Sequence, residues 1–231
     1  MLLSVEDLHV RYGAFEAVRG VSFELGEGEI LGIVGESGSG KSTIARTLIG
    51  LERASSGRIT RNCRRMQMIF QDAVGSLNPR MKVGAALRES IKIGRPKDAP
   101  PVTPEALLEQ VGLSRAVLDQ YPRELSGGQC QRVSVARALS CSPDLLIADE
   151  PVSALDVSVQ ARVLNLLRDL RRTLGISILL IAHDLAVVKN VCDRICVMEK
   201  GLFVDSGLAE DVFERPRSPY TRRLLSAVPA I

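Results

Sequence analysis

The sequence predicts an α/β fold with a mixed or parallel sheet, antiparallel strands near the N-terminus and an inserted helical subdomain. Short, continuous apolar runs followed by helical patterns are typical of buried parallel strands. Ahead of them the chain alternates apolar and polar residues, as half-buried antiparallel strands do. In the middle of the chain, helical and loop patterns interrupt the series of strands, so this segment is predicted to be an insertion.

The length of 231 residues suits a single domain, because such a chain can bury a substantial core. We expect the α/β core to comprise residues 1–71 and 141–215 and the helical subdomain to comprise residues 72–140. Residues 216–231 are expected to form a C-terminal helix whose apolar face packs against the core. That face comprises Tyr220, Leu224, Leu225 and Val228.

The first two strands are predicted at residues 2–10 and 18–25, on either side of a turn at residues 11–14. His9 alternates within the first of these strands, which favours a structural role. A third, continuously apolar strand is predicted at residues 30–34, and its pattern is that of a buried parallel strand.

A loop rich in glycine and serine follows this third strand and has the spacing of a phosphate-binding loop. Its backbone N–H groups can wrap a phosphate chain, and a helix predicted at residues 44–50 points its positive end at the same anion. Lys41 would reach the β- and γ-phosphates, and the Ser42 hydroxyl would hold Mg²⁺. A flexible turn would need neither the Gly-Lys-Ser ending nor these flanks, so the core is predicted to be that of a P-loop NTPase. The loop residues expected to bind the nucleotide are Gly35, Ser37, Gly38, Gly40, Lys41, Ser42 and Thr43.

After the helix, the sequence predicts a loop at residues 55–57 and a short strand at residues 66–70, which ends at Gln71. A basic cluster before this strand, which comprises Arg61, Arg64 and Arg65, is expected to be solvated. Helices are predicted near residues 83–93 and at residues 106–111, the second of them beginning at Thr103-Pro104.

A second helix N-terminus able to receive a phosphate is predicted at Leu125–Gln129, which includes Ser126, Gly127 and Gly128. The helix itself is predicted at residues 131–139. One chain therefore has two predicted anion sites.

Two acids, Asp149 and Glu150, follow a buried strand predicted at residues 145–148. Ligands of open α/β sheets bind at the carboxyl ends of strands. Asp149 could hold Mg²⁺, and Glu150 could orient and deprotonate a water. The alternative is a solvated pair of strand-end acids, which the upstream phosphate loop disfavours.

A long helix is predicted at residues 157–174, with Asp156 as its cap. The last predicted strand, residues 176–182, presents His183, which could donate a hydrogen bond to a γ-phosphate or be structural. Asp184 is expected to cap the helix beyond. Tyr12, after the first strand, could stack on an adenine or be a half-buried strand-end residue.

Composition excludes several classes of function. Charged residues make up 25% of the chain and the net charge is +3, so no extended nucleic-acid surface is predicted. Aromatic residues make up only 3%, which disfavours base-stacking platforms. The longest apolar stretch is too short to span a bilayer and no secretion signal is apparent, so we expect a soluble protein inside the cell with reduced cysteines. Cys192 and Cys196 could share a helix-end face, where packing or solvent exposure is favoured over metal binding.

Together these segments resemble the ATP-binding subunit of ABC transporters, and the resemblance extends over nearly the whole chain. Leu125–Gln129 matches that family's signature, and we call it the signature segment. One departure is Cys130, where relatives commonly have a basic or polar residue; we expect it to affect affinity or rate before function. The other counterparts are Tyr12 as the adenine-stacking aromatic, Gln71 as the Q-loop, Asp149 and Glu150 as the acidic pair, residues 153–156 as the D-loop and His183 as the switch histidine.

The resemblance implies a head-to-tail pair of subunits, with each ATP held between one phosphate loop and the opposite signature segment. On this basis Glu150, His183 and Gln71 are expected to be catalytic, and Mg²⁺ is expected at Ser42, Gln71 and Asp149. A helix N-terminus that contacts the γ-phosphate only in the closed pair would make ATP the dimerising ligand. The residues expected to bind the partner's ATP are Ser126, Gly127, Gly128 and Gln129.

Residues 71–81 and 219–229 resemble the corresponding segments in the ATPases of oligopeptide, dipeptide and nickel importers. The resemblance is in particular to the second ATPase of such systems. This implies an ATPase that powers uptake of peptides, nickel or a related metal chelate. Its implied partners are a second ATP-binding subunit, two transmembrane permeases and, indirectly, an extracytoplasmic binding protein. The implied location is peripheral, on the cytoplasmic face of the membrane. The transported molecule and the identity of the second ATPase stay open.

Two other hypotheses belong to different classes. A soluble ABC-type ATPase acting on nucleic acid or ribosomes is disfavoured, because the chain has neither two cassettes nor a coiled-coil insertion and its basicity is slight. A P-loop kinase is disfavoured by the signature segment and by the lack of a substrate lid.

Overall fold

The computed structural model describes residues 1–153 and 155–227. They form a three-stranded antiparallel sheet in the order β2-β1-β4 and a six-stranded sheet in the order β5-β6-β7-β3-β8-β9. The strands are β1 (Leu3–Tyr12), β2 (Phe15–Leu25), β3 (Ile30–Val34), β4 (Ser56–Arg61), β5 (Met66–Ile69), β6 (Leu145–Asp149), β7 (Ser177–Ala182), β8 (Arg194–Glu199) and β9 (Leu202–Leu208). The helices are α1 (Lys41–Leu48), α2 (Val83–Gly94), α3 (Pro104–Gln110), α4 (Gly127–Leu139), α5 (Val157–Leu174), α6 (Leu185–Val188), α7 (Ala209–Glu214) and α8 (Pro219–Ser226). This arrangement confirms the predicted fold class.

The three-stranded sheet contains one strand that the sequence does not predict. Residues 55–57 are predicted as a loop, but β4 begins at Ser56 and pairs with β1 in antiparallel register. Its side chains are almost all exposed, so it lacks the apolar alternation that marks a strand. At Gly57, where φ is +97°, a Cβ would lie 2.3 Å from the backbone oxygen of Asp7, so this close pairing requires glycine.

Strands β5, β6, β7, β3 and β8 are parallel, and β9 pairs antiparallel with β8 at the edge. Every residue of β3, β6 and β7 is buried, because apolar clusters cover both faces of the sheet. The expectation that residues 176–182 form the last strand is wrong, since β8 and β9 follow. The short apolar run of β8 and the mixed exposure of β9 give a weaker pattern than β7 does.

Cys192 and Cys196 do not share a helix-end face. Cys196 is in β8 and packs in one apolar cluster, whereas Cys192 packs in the other. Burial raises the pKa of both thiols, that of Cys196 to about 12. Within residues 1–153 and 155–227, no three histidine, cysteine, aspartate or glutamate side chains come together in a way that could hold a metal ion.

The helical segment lies between β5 and β6, which are hydrogen-bonded neighbours, so it is inserted into the sheet. The predicted helices near residues 83–93 and 106–111 are confirmed as α2 and α3, and the Thr103 side chain accepts a hydrogen bond from the N–H of Ala106. In the part of the chain that the structure describes, no helix has the length and apolar character needed to cross a membrane.

Two helices begin earlier than predicted. Helix α1 starts at Lys41 instead of residue 44, and α4 starts at Gly127 instead of residue 131. In both cases glycine, lysine or glutamine occupies the first turn, where no apolar periodicity marks the helix. Lys41, Ser42 and Thr43 therefore lie in the first turn of α1, and Gly127, Gly128 and Gln129 lie in the first turn of α4.

The C-terminal helix α8 packs against the core, as predicted. Tyr220 is buried in the larger apolar cluster, and Leu224 and Leu225 pack against it. Val228, the fourth residue of the predicted apolar face, lies outside the described residues.

Candidate active site

The phosphate loop connects the end of β3 to the start of α1, and its shape depends on glycine at both ends. A Cβ on Gly35 would lie 2.1 Å from the backbone oxygen of Met198, and one on Gly40 would lie 2.4 Å from that of Ala17. Gly38 and Gly40 have φ of +79° and +109°, which side chains rarely tolerate. The loop is therefore held tightly against the sheet, with Ser37 and Gly38 exposed at its tip.

Lys41 is the first residue of α1, and only 3% of it is exposed. Its Nζ donates hydrogen bonds to the backbone oxygens of Gly35 (2.7 Å) and Glu36 (2.9 Å). Burial lowers the pKa of Lys41, and the nearby Glu150 and Asp149 oppose this shift. The ammonium group is thus held inside the curve of the loop.

Ser39, for which the sequence predicts no role as a ligand, lies beside Lys41 in the same loop. It is buried, and its Oγ lies 3.5 Å from Lys41 Nζ. Its backbone N–H donates to the oxygen of Glu36 (3.2 Å). Thr43, the last loop residue named from the sequence, lies in α1 and accepts from the Thr47 hydroxyl through its backbone oxygen (2.7 Å).

Asp149 ends β6 beside the start of α1 and is 2% exposed. The Ser42 hydroxyl donates to its Oδ1 (2.8 Å). Burial raises the pKa of Asp149, although the Ser42 hydrogen bond and the Lys41 charge lower it. A hydroxyl and a carboxylate oxygen are suitable ligands for Mg²⁺, so these two residues fit the predicted metal position.

Glu150 lies where the predicted catalytic residues converge. Gln71 Nε2 donates to its Oε2 (2.9 Å), His183 Nδ1 lies 3.9 Å from the same oxygen, and Lys41 Nζ lies 4.0 Å from Oε1. Its φ of +46° is unusual for a residue with a side chain, and its N–H donates to the backbone oxygen of Ile181 (3.0 Å). Backbone strain of this kind is concentrated at functional sites.

The convergence follows from the order of strands. Gln71, Asp149 with Glu150, and His183 follow the carboxyl ends of β5, β6 and β7, which are consecutive neighbours, and the phosphate loop follows β3, the next strand. Parallel strands bring all their carboxyl ends to one edge of the sheet. The structure therefore brings together the six residues expected to act on one nucleotide. They are Lys41, Ser42, Gln71, Asp149, Glu150 and His183.

The loop after Glu150 is hydrogen-bonded to the backbone of that residue. The Ser153 N–H and hydroxyl lie 3.3 Å and 3.2 Å from the backbone oxygen of Glu150, to which both donate. Asp156 caps α5, as predicted, by accepting from the N–H of Val159 (3.0 Å). Ala154, in the middle of the predicted D-loop, lies outside the described residues.

Tyr12 lies at the end of β1 and is 43% exposed. Its cross-strand partner is Phe15, which is 64% exposed and which the sequence analysis does not single out. Two exposed aromatic rings at the end of one hairpin are compatible with stacking on a flat ligand, and they leave the role of Tyr12 a prediction.

The signature segment is locally complete. Ser126 is the N-cap of α4, and its hydroxyl accepts from the N–H of Gln129 (3.2 Å), whose side chain accepts from the N–H of Ser126 (2.8 Å). Ser126 and Gly127 are exposed, whereas a Cβ on Gly128 would lie 2.4 Å from the side chain of Val159. Gly128 is therefore needed for the close approach of α4 and α5.

Cys130 points away from the exposed side of the signature segment. It is fully buried, and its Sγ donates to the backbone oxygen of Pro122 (3.4 Å). Burial raises the pKa of this thiol. The cysteine thus packs beneath the segment, whereas Ser126 and Gly127 are exposed.

The structure does not join the signature segment to the phosphate loop of the same chain. Across residues 1–153 and 155–227, no hydrogen bond or ion pair connects Ser126–Gln129 with Gly35–Thr43. A cavity of about 600 Å³ has Gln71, Asp149 and Gly127 among its lining residues. The two predicted anion sites are thus not joined by hydrogen bonds or ion pairs among these residues, although Gly127 and Asp149 line the same cavity.

The strand-end acids, the buried lysine and the phosphate loop together define an ATPase of the P-loop class. The ABC transporter family matches residues 18–153. The oligopeptide transport ATP-binding protein OppF of Escherichia coli is 45% identical in an alignment 260 residues long, which covers 99% of this chain and 78% of that protein. A putative peptide import ATP-binding protein of Brucella ovis is also 45% identical, over 99% of this chain and 79% of that protein.

Solved structures from ABC transporters are similar to this chain in fold. The protein cbiO1 of Clostridium perfringens, part of the ABC transporter complex cbiONQ, has a TM-score of 0.80 and 28% identity over 93% of this chain and 91% of its own. The ADP conformation of an ATP-binding cassette of an ABC transporter has a TM-score of 0.81 and 26% identity over 96% of this chain and 98% of its own. The chain belongs to the ABC transporter family, which confirms the resemblance inferred from its motifs.

Proposed function

We propose that this chain is the ATP-hydrolysing subunit of a membrane importer for peptides. The observation that supports the hydrolysis of ATP most directly is the convergence of Lys41, Ser42, Asp149 and Glu150 at the phosphate loop. The names of the relatives from Escherichia coli and Brucella ovis favour peptides over nickel as the transported class. No finding favours the hypothesis of an ATPase that acts on nucleic acid.

The binding chemistry follows from the positions of the side chains. The N–H groups at the start of α1 and the Lys41 ammonium would bind the β- and γ-phosphates of ATP. Ser42 and Asp149, together with Gln71, would hold Mg²⁺, which neutralises phosphate charge when bound.

The hydrolysis chemistry centres on Glu150. Its carboxylate would orient the attacking water and accept its proton, and Gln71, which donates to that carboxylate, would help to orient it. His183 is half exposed and could turn towards a γ-phosphate to donate a hydrogen bond. Tyr12 would stack on the adenine.

The signature segment would act on a second nucleotide. Its exposed Ser126 and Gly127, with Gly128 and Gln129, would contact the ATP held by the phosphate loop of another ATP-binding subunit. Two permeases in the membrane would complete the importer, with an extracytoplasmic binding protein delivering the peptide. The chain would then lie peripherally on the cytoplasmic face of the membrane.

Purification of the native complex tests this proposal. The chain should copurify from the membrane fraction with two permeases, and ATP hydrolysis by the complex should rise when a peptide-loaded binding protein is added. A complex carrying Glu150→Gln is the control and should show no such rise. Copurification without permeases, or turnover indifferent to every peptide tested, would contradict the proposal.

A further inference from the structure

The C-terminal helix α8 makes a direct hydrogen bond with the phosphate loop. The hydroxyl of Tyr220 accepts from the backbone N–H of Glu36 (3.0 Å), the residue that follows Gly35 in the loop. Tyr220 is 6% exposed, so its ring and hydroxyl have few alternative positions. Packing against the core, the role that the apolar face of α8 predicts, does not require this hydroxyl.

Helix α8 is itself fixed to the sheet. Asp205 in β9, which is 7% exposed, accepts through Oδ2 from the N–H groups of Arg217 (2.8 Å) and Ser218 (3.2 Å). The Ser218 hydroxyl then caps α8 by accepting from the N–H of Tyr220 (3.1 Å). These contacts fix the start of α8, and with it the Tyr220 side chain, relative to β9.

The peptide groups of Glu36 are held from two sides. Its N–H is bonded to Tyr220, and its oxygen accepts from Lys41 Nζ (2.9 Å) and from the N–H of Ser39 (3.2 Å). Another residue of the loop is held by the β8–β9 turn, where the N–H of Gly201 donates to the oxygen of Ser39 (2.9 Å). Tyr220 thus supplies an anchor at Glu36 in addition to the one that the β8–β9 turn supplies at Ser39.

A weaker contact runs in parallel. The Arg223 guanidinium lies 5.2 Å from the centre of the Tyr220 ring and 3.7 Å from the Glu36 carboxylate. Both charged side chains are largely exposed, so water screens this ion pair. The buried hydroxyl is therefore the stronger link between α8 and the loop.

We propose that Tyr220 is a positioning residue for ATP: its hydroxyl holds the Glu36 peptide so that the phosphate loop and Lys41 are already arranged for the phosphate chain. Ordering a loop on binding costs free energy, and an anchor that orders it beforehand removes part of that cost. The proposal rests on the proposed ATPase function and adds a residue that lies 184 positions from the loop residue it contacts.

Tyr220→Phe tests the proposal, since it removes the hydroxyl and keeps the ring. The matched control is Thr221→Val, because Thr221 is fully buried on the same helix and its hydroxyl has no hydrogen-bond partner among the described residues. Titration of the purified full-length chain with Mg–ADP should give a Kd about three- to tenfold higher for Tyr220→Phe, the range expected for one hydrogen bond to a backbone amide. Thr221→Val should bind as the parent does.

The shape of the titration separates positioning from folding. A positioning role raises Kd at unchanged stoichiometry, and it raises KM for ATP with kcat kept within about twofold. A purely structural role would instead lower the stoichiometry and kcat, with Kd and KM unchanged, and that result would overturn the proposal. Equal Kd values for Tyr220→Phe and the parent would also overturn it.

Amide hydrogen exchange of the parent protein gives a test that does not depend on a variant. The Glu36 N–H should exchange slowly, because it is bonded to a buried hydroxyl. Exchange of this amide at the rate of a free amide would overturn the proposal even if Tyr220→Phe failed to fold. A parent chain that bound no adenine nucleotide would contradict the proposed function, whereas normal binding with a freely exchanging Glu36 amide would contradict only the role of Tyr220.

Discussion

The phosphate-loop region and the signature segment are both helix N-termini, yet they are built in opposite ways. The first buries charged side chains, since Lys41 is 3% exposed and Asp149 is 2% exposed. Burial lowers the pKa of Lys41 and raises that of Asp149, and both shifts favour the neutral form. The phosphate-loop region also holds Glu150 at a φ of +46°. The signature segment instead satisfies its own N–H groups through the Ser126 and Gln129 side chains and leaves Ser126 exposed.

This difference indicates how the work is divided between the two regions. Buried charges and backbone strain cost folding free energy, and they persist where a ligand repays that cost. The phosphate-loop region therefore has the character of a site that binds phosphate within one chain. The signature segment has no such cost, and in the part of the chain that the structure describes no hydrogen bond or ion pair joins it to that loop, so we expect its ligand to come from another subunit.

Glu150→Gln should have the largest effect, because it removes the proposed base and keeps the shape of the side chain. General-base catalysis typically contributes about 10²–10⁴-fold, so turnover by the assembled complex should fall at least about 100-fold. Nucleotide binding should be retained, and ATP should accumulate in a stable pair of subunits. Glu109→Gln, an exposed change on α3, is the control. Undiminished hydrolysis by Glu150→Gln would return this residue to a structural role.

Ser126→Ala sharpens the contrast between the regions. Loss of the cap should cost about 1 kcal/mol of folding free energy, and loss of a contact to the partner's ATP should lower turnover of the complex about tenfold. Ser114→Ala removes a similar cap, which accepts from the N–H of Ala116 (3.3 Å), elsewhere in the inserted segment. That control should lose stability and keep its turnover; equal turnover for both variants would remove the signature serine from the mechanism.

Asp149→Asn should have the smallest effect, and it should stabilise the fold. Because burial raises the folded-state pKa of Asp149 above 3.8, the parent loses stability as pH rises through the window between the unfolded and folded values. Asparagine has no charge to bury and can still accept from the Ser42 hydroxyl. At pH 7 its free energy of unfolding should exceed that of the parent by about 1 kcal/mol, a typical gain from such a change.

The measurement for Asp149→Asn is denaturant unfolding as a function of pH. The gain should disappear below pH 3.8, where the carboxyl group is neutral in both states. Asp119→Asn, at an exposed residue whose carboxylate lies 3.5 Å from Lys82 Nζ, should give no such gain, because exposed ion pairs contribute little. A less stable Asp149→Asn protein at pH 7 would show that the carboxylate holds the fold together and that the phosphate loop is not built at the expense of stability.

Where a sequence signal is periodic or capped, it predicts the fold well. Strand β3 and helix α5 have the predicted bounds, because one is continuously apolar and the other lies between the Asp156 cap and Gly175 at φ +67°. Strand β4 escapes prediction because backbone pairing with β1, and not apolar packing, holds its polar residues in place. Prediction of the α1 and α4 starts fails for a related reason, since their first turns are polar.

The candidate site was largely predictable, because each polar residue follows a recognisable strand and the carboxyl ends of parallel strands meet. The sequence could not predict the contacts between residues that are far apart in the chain. The Gln71–Glu150 hydrogen bond spans 79 positions and the Tyr220–Glu36 bond spans 184. Such contacts depend on the order of strands and on where α8 docks, neither of which has a local signal.

The central claim, that one subunit binds its nucleotide through the phosphate loop and not through its own signature segment, is tested most directly by Mg–ADP titrations of Lys41→Ala and Ser126→Ala. Both would be measured on the purified full-length chain, with Lys92→Ala, an exposed change on α2, as the control. Removing the Lys41 ammonium should weaken binding about 10- to 100-fold, whereas Ser126→Ala should bind as the parent does. Equal weakening by the two substitutions would contradict the claim.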